Sequence, residues 1–293
     1  MVALLRICTL SLFVMAIFMG CGDTIRRDGN TMKQPEDGAI AHEISEESLD
    51  ISTTDEKKIF IIGDSTVHNT TVENNVRVNY GWGDMLAKYM HNPKNLFNLA
   101  EPGTSSKSYQ LRSDLEYDGY FHNWFQTKAL IQSTDLSSGG YLFIQFGHND
   151  ETDEYKEDDI HTLPGMGDSF YNNLKFYIRQ AYELGLTPVL ITPLERMEKP
   201  PGENTKQSHI RDTGDYAQTV RDLSKQENIL LLDLQKTSWK KFNQYYDTFA
   251  LEDKFGFRDS SEHLNEEGAN IVAGWVKELI CRSKDKVLCS QFD

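Results

Sequence analysis

The sequence predicts an α/β domain with a parallel sheet sandwiched between helices. Three observations carry that expectation. Five short apolar runs recur from Lys58 onward: KIFIIG (58–63), NLFNLA (95–100), YLFIQFG (141–147), TPVLIT (187–192) and ILLLDL (229–234). Several are continuous rather than alternating, which is the pattern of strands covered on both faces. Amphipathic stretches lie between them, and strand–helix alternation of this kind builds parallel sheets with helical crossovers.

Each element has its own signal. GWGDMLAKYM (81–90) follows the first strand at some distance, and FHNWFQTKALIQS (121–133) precedes the third. FYNNLKFYIRQAYELG (170–185) precedes the fourth and stops on Gly185, where a helix end favours glycine. TGDYAQTVRDLSKQEN (213–228) leads into the fifth strand, and NEEGANIVAGWVKELICRS (265–283) closes the domain. Internal repeats and low-complexity tracts are absent.

The ends of the chain differ from this body. MVALLR followed by ICTLSLFVMAIFMG reads as the charged and apolar regions of an export signal, shorter than the ~18 apolar residues a membrane-spanning helix needs. Cys21 directly after Gly20 resembles a bacterial lipoprotein cleavage site, so residues 1–21 are expected to be a signal ending at a lipidated Cys21. Residues 22–57 are polar, acidic and nearly free of aromatics, which predicts a disordered tether. The folded domain is then 58–293, on the cell envelope (outer membrane or periplasm) or secreted. In an oxidising export compartment, Cys281 and Cys289 are expected to pair and staple the tail.

Composition excludes some functions. The 293 residues carry a formal net charge of -15. Such a surface repels nucleic acid and anionic bilayers, so membrane contact is expected only through the lipid anchor. No CxxC or His–Cys cluster suggests zinc. The run ETDEYKEDD (151–159) lacks the spacing of a calcium loop and reads as a solvated lid. No metal or cofactor is expected.

In an open parallel sheet, ligands bind beyond the carboxyl ends of the strands. Four chemical pieces fall there. Ser65 follows the first strand in FIIGDST, with its own amide as a candidate oxyanion donor. Gly103 lies in a Pro-Gly turn after the second strand, where an unshielded amide can donate to an anion. Asn149, in FGHND after the third, can add a side-chain amide donor. His263, on the loop before the last helix, is a candidate base for Ser65, and Asp259 four residues earlier a candidate orienting acid. Trp82 and Tyr109 are candidate sugar-stacking rings and His148 a candidate substrate contact. Packing is the competing role for Trp82 and His148.

Together, Ser65, Gly103, Asn149 and His263 resemble, in that order, the four blocks of the SGNH (GDSL) hydrolases. GDST, GWGDML, N-x-A-x-x-G-x-S-S-x-S-Y from Asn98 to Tyr109, FGHND and TPLER (192–196) are most similar to the rhamnogalacturonan acetylesterase branch. The resemblance covers residues 58 to about 280. It implies a flavodoxin-like three-layer α/β/α sandwich with a five-stranded parallel sheet, and a serine esterase that removes O-acetyl groups from a polysaccharide through an acyl-enzyme. Two positions depart from the pattern. Ser260 stands three before the histidine, where the family has Asp, so Asp259, Glu262 or a backbone carbonyl is left to orient the ring. Thr104 stands where the branch often has Arg. The expected partner is an acetylated poly- or oligosaccharide, and the expected state a monomer. The alternatives are a lipase or lysophospholipase with the same triad, or a non-catalytic glycan-binding protein.

Overall fold

The structure is a computed structural model that describes residues 56–72, 76–111, 123–152, 160–196, 209–211, 214–244, 253–256 and 263–293. The expected signal, Cys21, nearly all of the tether, Asp259, Glu262 and the acidic residues 153–159 lie outside the described residues.

The five apolar runs form one parallel sheet. Its strands are β1 (Lys58–Ile62), β4 (Leu96–Asn98), β5 (Gly140–Ile144), β6 (Leu186–Ile191) and β9 (Leu230–Leu232), in the order β4-β1-β5-β6-β9. β1 pairs with β5 from Lys58↔Gly140 to Ile62↔Ile144 and with β4 from Ile59↔Leu96 to Ile61↔Asn98. The alternation along β1 sorts side chains into two cores. Ile59 and Ile61 pack with Trp82, Met85, Leu86, Val272 and Val276 on one face. Phe60 and Ile62 pack with Trp124, Leu174, Tyr177 and Val220 on the other. Two faces of buried apolar side chains, each covered by helices, make the three-layer sandwich.

The helices are α1 (Trp82–Leu86), α2 (Ser108–Leu111), α3 (Trp124–Ser133), α4 (Ser169–Glu183), α5 (Tyr216–Glu227), α6 (Leu234–Phe242), α7 (Glu266–Arg282) and α8 (Lys286–Cys289). Polar caps set their starts: the side chains of Asn123, Asp215, Asp233, Asn265 and Asp285 each accept a hydrogen bond from a first-turn amide. Two boundaries differ from expectation. α3 begins at Trp124 rather than 121, because Asn123 caps it. The run ILLLDL is strand only to Leu232. Asp233 caps α6, which sequence reading missed although Leu234, Ser238 and Phe242 form its buried stripe. Two short hairpins, β2–β3 (Thr70–Val72 with Val76–Asn79) and β7–β8 (Ile210–Arg211 with Gly214–Asp215), were also not anticipated.

Cys281 and Cys289 are joined by a disulfide with Cα atoms 4.7 Å apart, tying the end of α7 to α8. No helix among the described residues is long and apolar enough to cross a membrane.

Candidate active site

The site is assembled where β1, β4 and β5 end. After Ile62 the chain wraps around the carbonyl of Asp64, which accepts from the amides of Val67 (3.1 Å) and His68 (3.3 Å). That turn lifts Ser65 to a half-buried position while Asp64 and Thr66 on either side are buried. The GWG segment grips the turn from the far side: Trp82 N–H donates to Thr66 O at 3.1 Å and Gly83 N–H to Val67 O at 3.0 Å. A Cβ on Gly81 would sit 2.1 Å from the Val67 carbonyl carbon, so only glycine lets the two segments meet.

His263 reaches this turn from a distant part of the chain. Its Nε2 lies 3.0 Å from Ser65 Oγ across 198 residues of sequence. The loop is placed by its neighbour: Tyr80 N–H donates to Leu264 O at 3.0 Å, and Asn265 N–H to Phe255 O at 2.8 Å, before Asn265 caps α7.

The donor side is bonded more densely. Glu101 N–H donates to Gly63 O at 2.9 Å, and Thr104 N–H to Glu101 O at 3.3 Å closes a turn over Pro102 and Gly103. Gly103 has φ +75°, the left-handed value that the third residue of a type II turn demands. A Cβ there would meet nothing within 4 Å, so the glycine is exposed in open space. Asn149 Nδ2 donates to Thr104 O at 2.9 Å, which spends one of its two hydrogens and leaves the other for a ligand. Among the described residues the amides of Ser65 and Gly103 have no acceptor. The same strand ends thus carry three spare donors and one hydroxyl paired with one imidazole, the groups that attack on an ester carbonyl uses.

Thr104 is buried and its hydroxyl donates to Glu101 O at 2.7 Å. No cationic side chain therefore leaves the chain at that position beside Gly103.

The three side chains expected to touch substrate do not face a ligand. Trp82 is fully buried, its Nε1–H donating to Gln145 Oε1 at 2.9 Å. Tyr109 is fully buried, its hydroxyl 2.6 Å from both Leu99 O and Thr127 Oγ1, and burial pushes its pKa well above the ordinary value. His148 is buried behind Asn149. Large amphipathic rings with a polar handle pack inside wherever that handle finds a partner, as all three do here. Glu151, expected at the start of a solvated run, is also buried, with Arg196 Nε 2.6 Å from one oxygen and His209 Nδ1 3.2 Å from the other.

Sequence reading missed the buried charges behind the site. Burial would raise Asp64, but His148 and the two Thr66 donors outweigh it and hold the carboxyl below the usual range. Burial also works against Glu151 ionising, yet His209 and Arg196 bring it down to about 2. Among the described residues no cation lies against Asp150. Burial pushes it up to about 7, opposed by donors on Ser106 (N–H at 3.0 Å, Oγ at 2.5 Å) and Thr162 (Oγ1 at 2.9 Å). The available signal was chemical: Asp64, Asp150 and Glu151 all adjoin buried strand ends, where carboxylates need partners.

A family model, the GDSL-like Lipase/Acylhydrolase family, matches residues 61–271, from the end of β1 into α7. The chain belongs to that family. As a GDSL-family hydrolase, it is a carboxylic ester hydrolase. Two curated proteins of Bacillus subtilis (strain 168) are similar to this GDSL-family chain. "Probable rhamnogalacturonan acetylesterase YesY" is 29% identical over 230 residues, covering 75% of this chain and 93% of that protein. Rhamnogalacturonan acetylesterase RhgT is 25% identical over 234 residues, covering 76% and 89%. Among solved structures, the Bacillus subtilis protein YXIM_BACsu superposes with a TM-score of 0.57 at 24% identity, over 79% of this chain and 58% of that one. This chain thus spans less than two thirds of that structure. A variant of Axe2, an acetyl-xylooligosaccharide esterase from Geobacillus stearothermophilus, superposes at 0.51 with 16% identity, over 78% and 95%. At these identities the structural likeness shows the fold alone.

Proposed function

We propose that this GDSL-family hydrolase removes O-acetyl groups from a glycan. The carrying observation is the 3.0 Å contact between Ser65 Oγ and His263 Nε2 beside the spare donors of Ser65, Gly103 and Asn149. In this reading His263 takes the Ser65 proton as Oγ attacks the acetyl carbonyl, and the two amides and the Asn149 side chain hold the oxyanion. His263 then protonates the departing sugar oxygen. Water, deprotonated by the same ring, releases acetate from the acyl-enzyme.

The acetylated glycan enters because the similar curated proteins carry the name rhamnogalacturonan acetylesterase and align over about nine tenths of their length. Which glycan is open to the chemistry of the rim. Thr104 brings no cation beside Gly103, so neutral acetylated glycans compete with pectic ones as substrates. Asp259 is the proposed orienting acid. Asp259→Ala should lower kcat by less than loss of His263 does, and a wild-type rate would pass that role to Glu262 or a carbonyl.

The N-terminal apolar run and Cys21 support a lipid-anchored envelope protein acting as a monomer at the end of a tether spanning 22–57. The test is acetate release by purified protein across acetylated plant, algal and bacterial glycans, alongside p-nitrophenyl esters of rising chain length. Acetate release lost in Ser65→Ala is the expected result. A preference for long acyl chains would instead make the protein a lipase. Sugar binding without any acetate release would make it a binding protein.

A further inference from the structure

One cluster behind the site has a geometry that the ester chemistry alone does not explain. Two buried imidazoles share a single carbonyl: Leu194 O accepts the Nε2–H of His148 at 3.0 Å and of His209 at 2.6 Å, with the rings edge to face at 4.8 Å. A carbonyl only accepts, so both Nε2 atoms carry hydrogens. Each Nδ1 then faces a carboxylate, Asp64 Oδ2 at 3.3 Å and Glu151 Oε2 at 3.2 Å. An ionised carboxylate also only accepts, so each contact becomes a bond only when Nδ1 is protonated as well.

The positions of these groups give the cluster its meaning. Asp64 is the residue before Ser65, and His148 the residue before Asn149. Arg196 completes the bracket, its Nη2 donating to His148 O at 2.9 Å while its Nε faces Glu151. Residues 148–151 are therefore held at the His148 ring, the His148 carbonyl and the Glu151 carboxylate, with Asn149 between. His209 is held at φ +68°, a left-handed conformation costly for a non-glycine residue and kept only where the surroundings dictate it.

We propose that His148 and His209 are positioning residues, doubly protonated and clamped on Leu194 O, that register the oxyanion donor Asn149 against the Ser65 turn through the buried couples Asp64–His148 and Glu151–His209. The couples and their shared carbonyl span the β1 end, the β5 exit, the β6 exit and the residue before β7, so no single element sets the distance between nucleophile and donor. The titratable and charged groups facing them are Asp64 from the β1 end, Asp150 and Glu151 from the β5 exit, and Glu195 and Arg196 after β6. The depressed Glu151 and Asp64 and the raised His209 run in the same direction as this assignment.

Two measurements test it. His148→Gln can donate to Leu194 O from its amide nitrogen but presents a carbonyl oxygen, an acceptor, at the other end, so it cannot bridge Leu194 O and Asp64. Hydrolysis of p-nitrophenyl acetate should lose about ten- to a hundred-fold in kcat, as misplacement by a fraction of an ångström to 1 Å does, with KM within about twofold. His209→Gln should follow in the same direction. An unchanged kcat in the folded variants, or a loss confined to KM, overturns the proposal. The second measurement needs no variant. In 15N-labelled full-length protein at pH 7, both rings should show two exchange-protected ring N–H signals each. A bare ring nitrogen on either histidine overturns it, whether or not the variants fold. This inference deepens the esterase reading but fails separately from it: an unmutated protein that hydrolyses no ester would sink that reading and leave the ring protons to be counted.

Discussion

The two halves of the site are held in different ways. The proposed donor half, Gly103 and Asn149 with the Ser65 amide, rests on the carboxyl ends of three adjacent strands and is cross-bonded by Glu101, Thr104, Ser106 and the side chains of Asp64, His148, Glu151 and Arg196. The proposed base half is His263 on a loop, whose flanks are bonded from Tyr80 N–H to Leu264 O and from Asn265 N–H to Phe255 O. Oxyanion donors work only if they need not reorganise when charge appears, so their supports are dense. A general base must instead reach the nucleophile within hydrogen-bond distance, as His263 Nε2 does at 3.0 Å.

Substitutions can break this comparison in graded steps. The largest effect is expected from the pair itself: Ser65→Ala or His263→Ala should cost about 10⁴-fold or more in kcat with the fold intact by circular dichroism. Removing one donor is the next step. Asn149→Ala should cost about 100- to 1,000-fold in kcat, and a loss under tenfold would take Asn149 out of the oxyanion site.

Stability sharpens the contrast at a smaller scale. Glu151 lies on the donor half with a folded pKa of about 2 against an ordinary 4.5. A lowered carboxylate contributes stability that is present above the ordinary value and lost as pH falls through the folded one. Its share is on the order of 3 kcal/mol, so melting temperature should fall between pH 4.5 and 2, and Glu151→Gln should flatten that slope. The raised His209 belongs to the same couple, with stability present below its ordinary 6.5 and lost as pH rises through its folded value. Asp150 runs opposite to Glu151. Its carboxyl is raised to about 7, so the stability it adds is present at acid pH and lost as pH climbs through 7. The smallest effect on activity belongs to the disulfide, at the opposite end of α7 from His263. Cys281→Ser should lower stability by about 2 kcal/mol and leave kcat unchanged.

Much of this was legible in the sequence, for reasons that differ by element. The five strands announce themselves because both of their faces are buried, which leaves continuous apolar text such as IFII and YLFI. The places of Ser65, Gly103 and Asn149 just past β1, β4 and β5 were readable because in a parallel sheet ligands bind beyond the carboxyl ends of the strands. α6 was hidden because its first apolar residue, Leu234, continues the apolar run of β9, and only the capping of Asp233 marks the break. The roles of Trp82, Tyr109 and His148 were misread because a ring that could stack on a sugar looks the same as one whose polar edge has a buried partner. The imidazole couples were invisible because Glu151 and His209 stand 58 residues apart and meet only when two loops fold together.

The account rests on one alcohol being made nucleophilic by one imidazole. The most direct measurement is labelling of the native protein by a fluorophosphonate, read by peptide mass spectrometry, in wild type and in His263→Ala. A single adduct on Ser65, formed by folded protein and strongly slowed in the variant, is the predicted result. Folded protein that remains unlabelled, or carries its adduct on another residue, would contradict it.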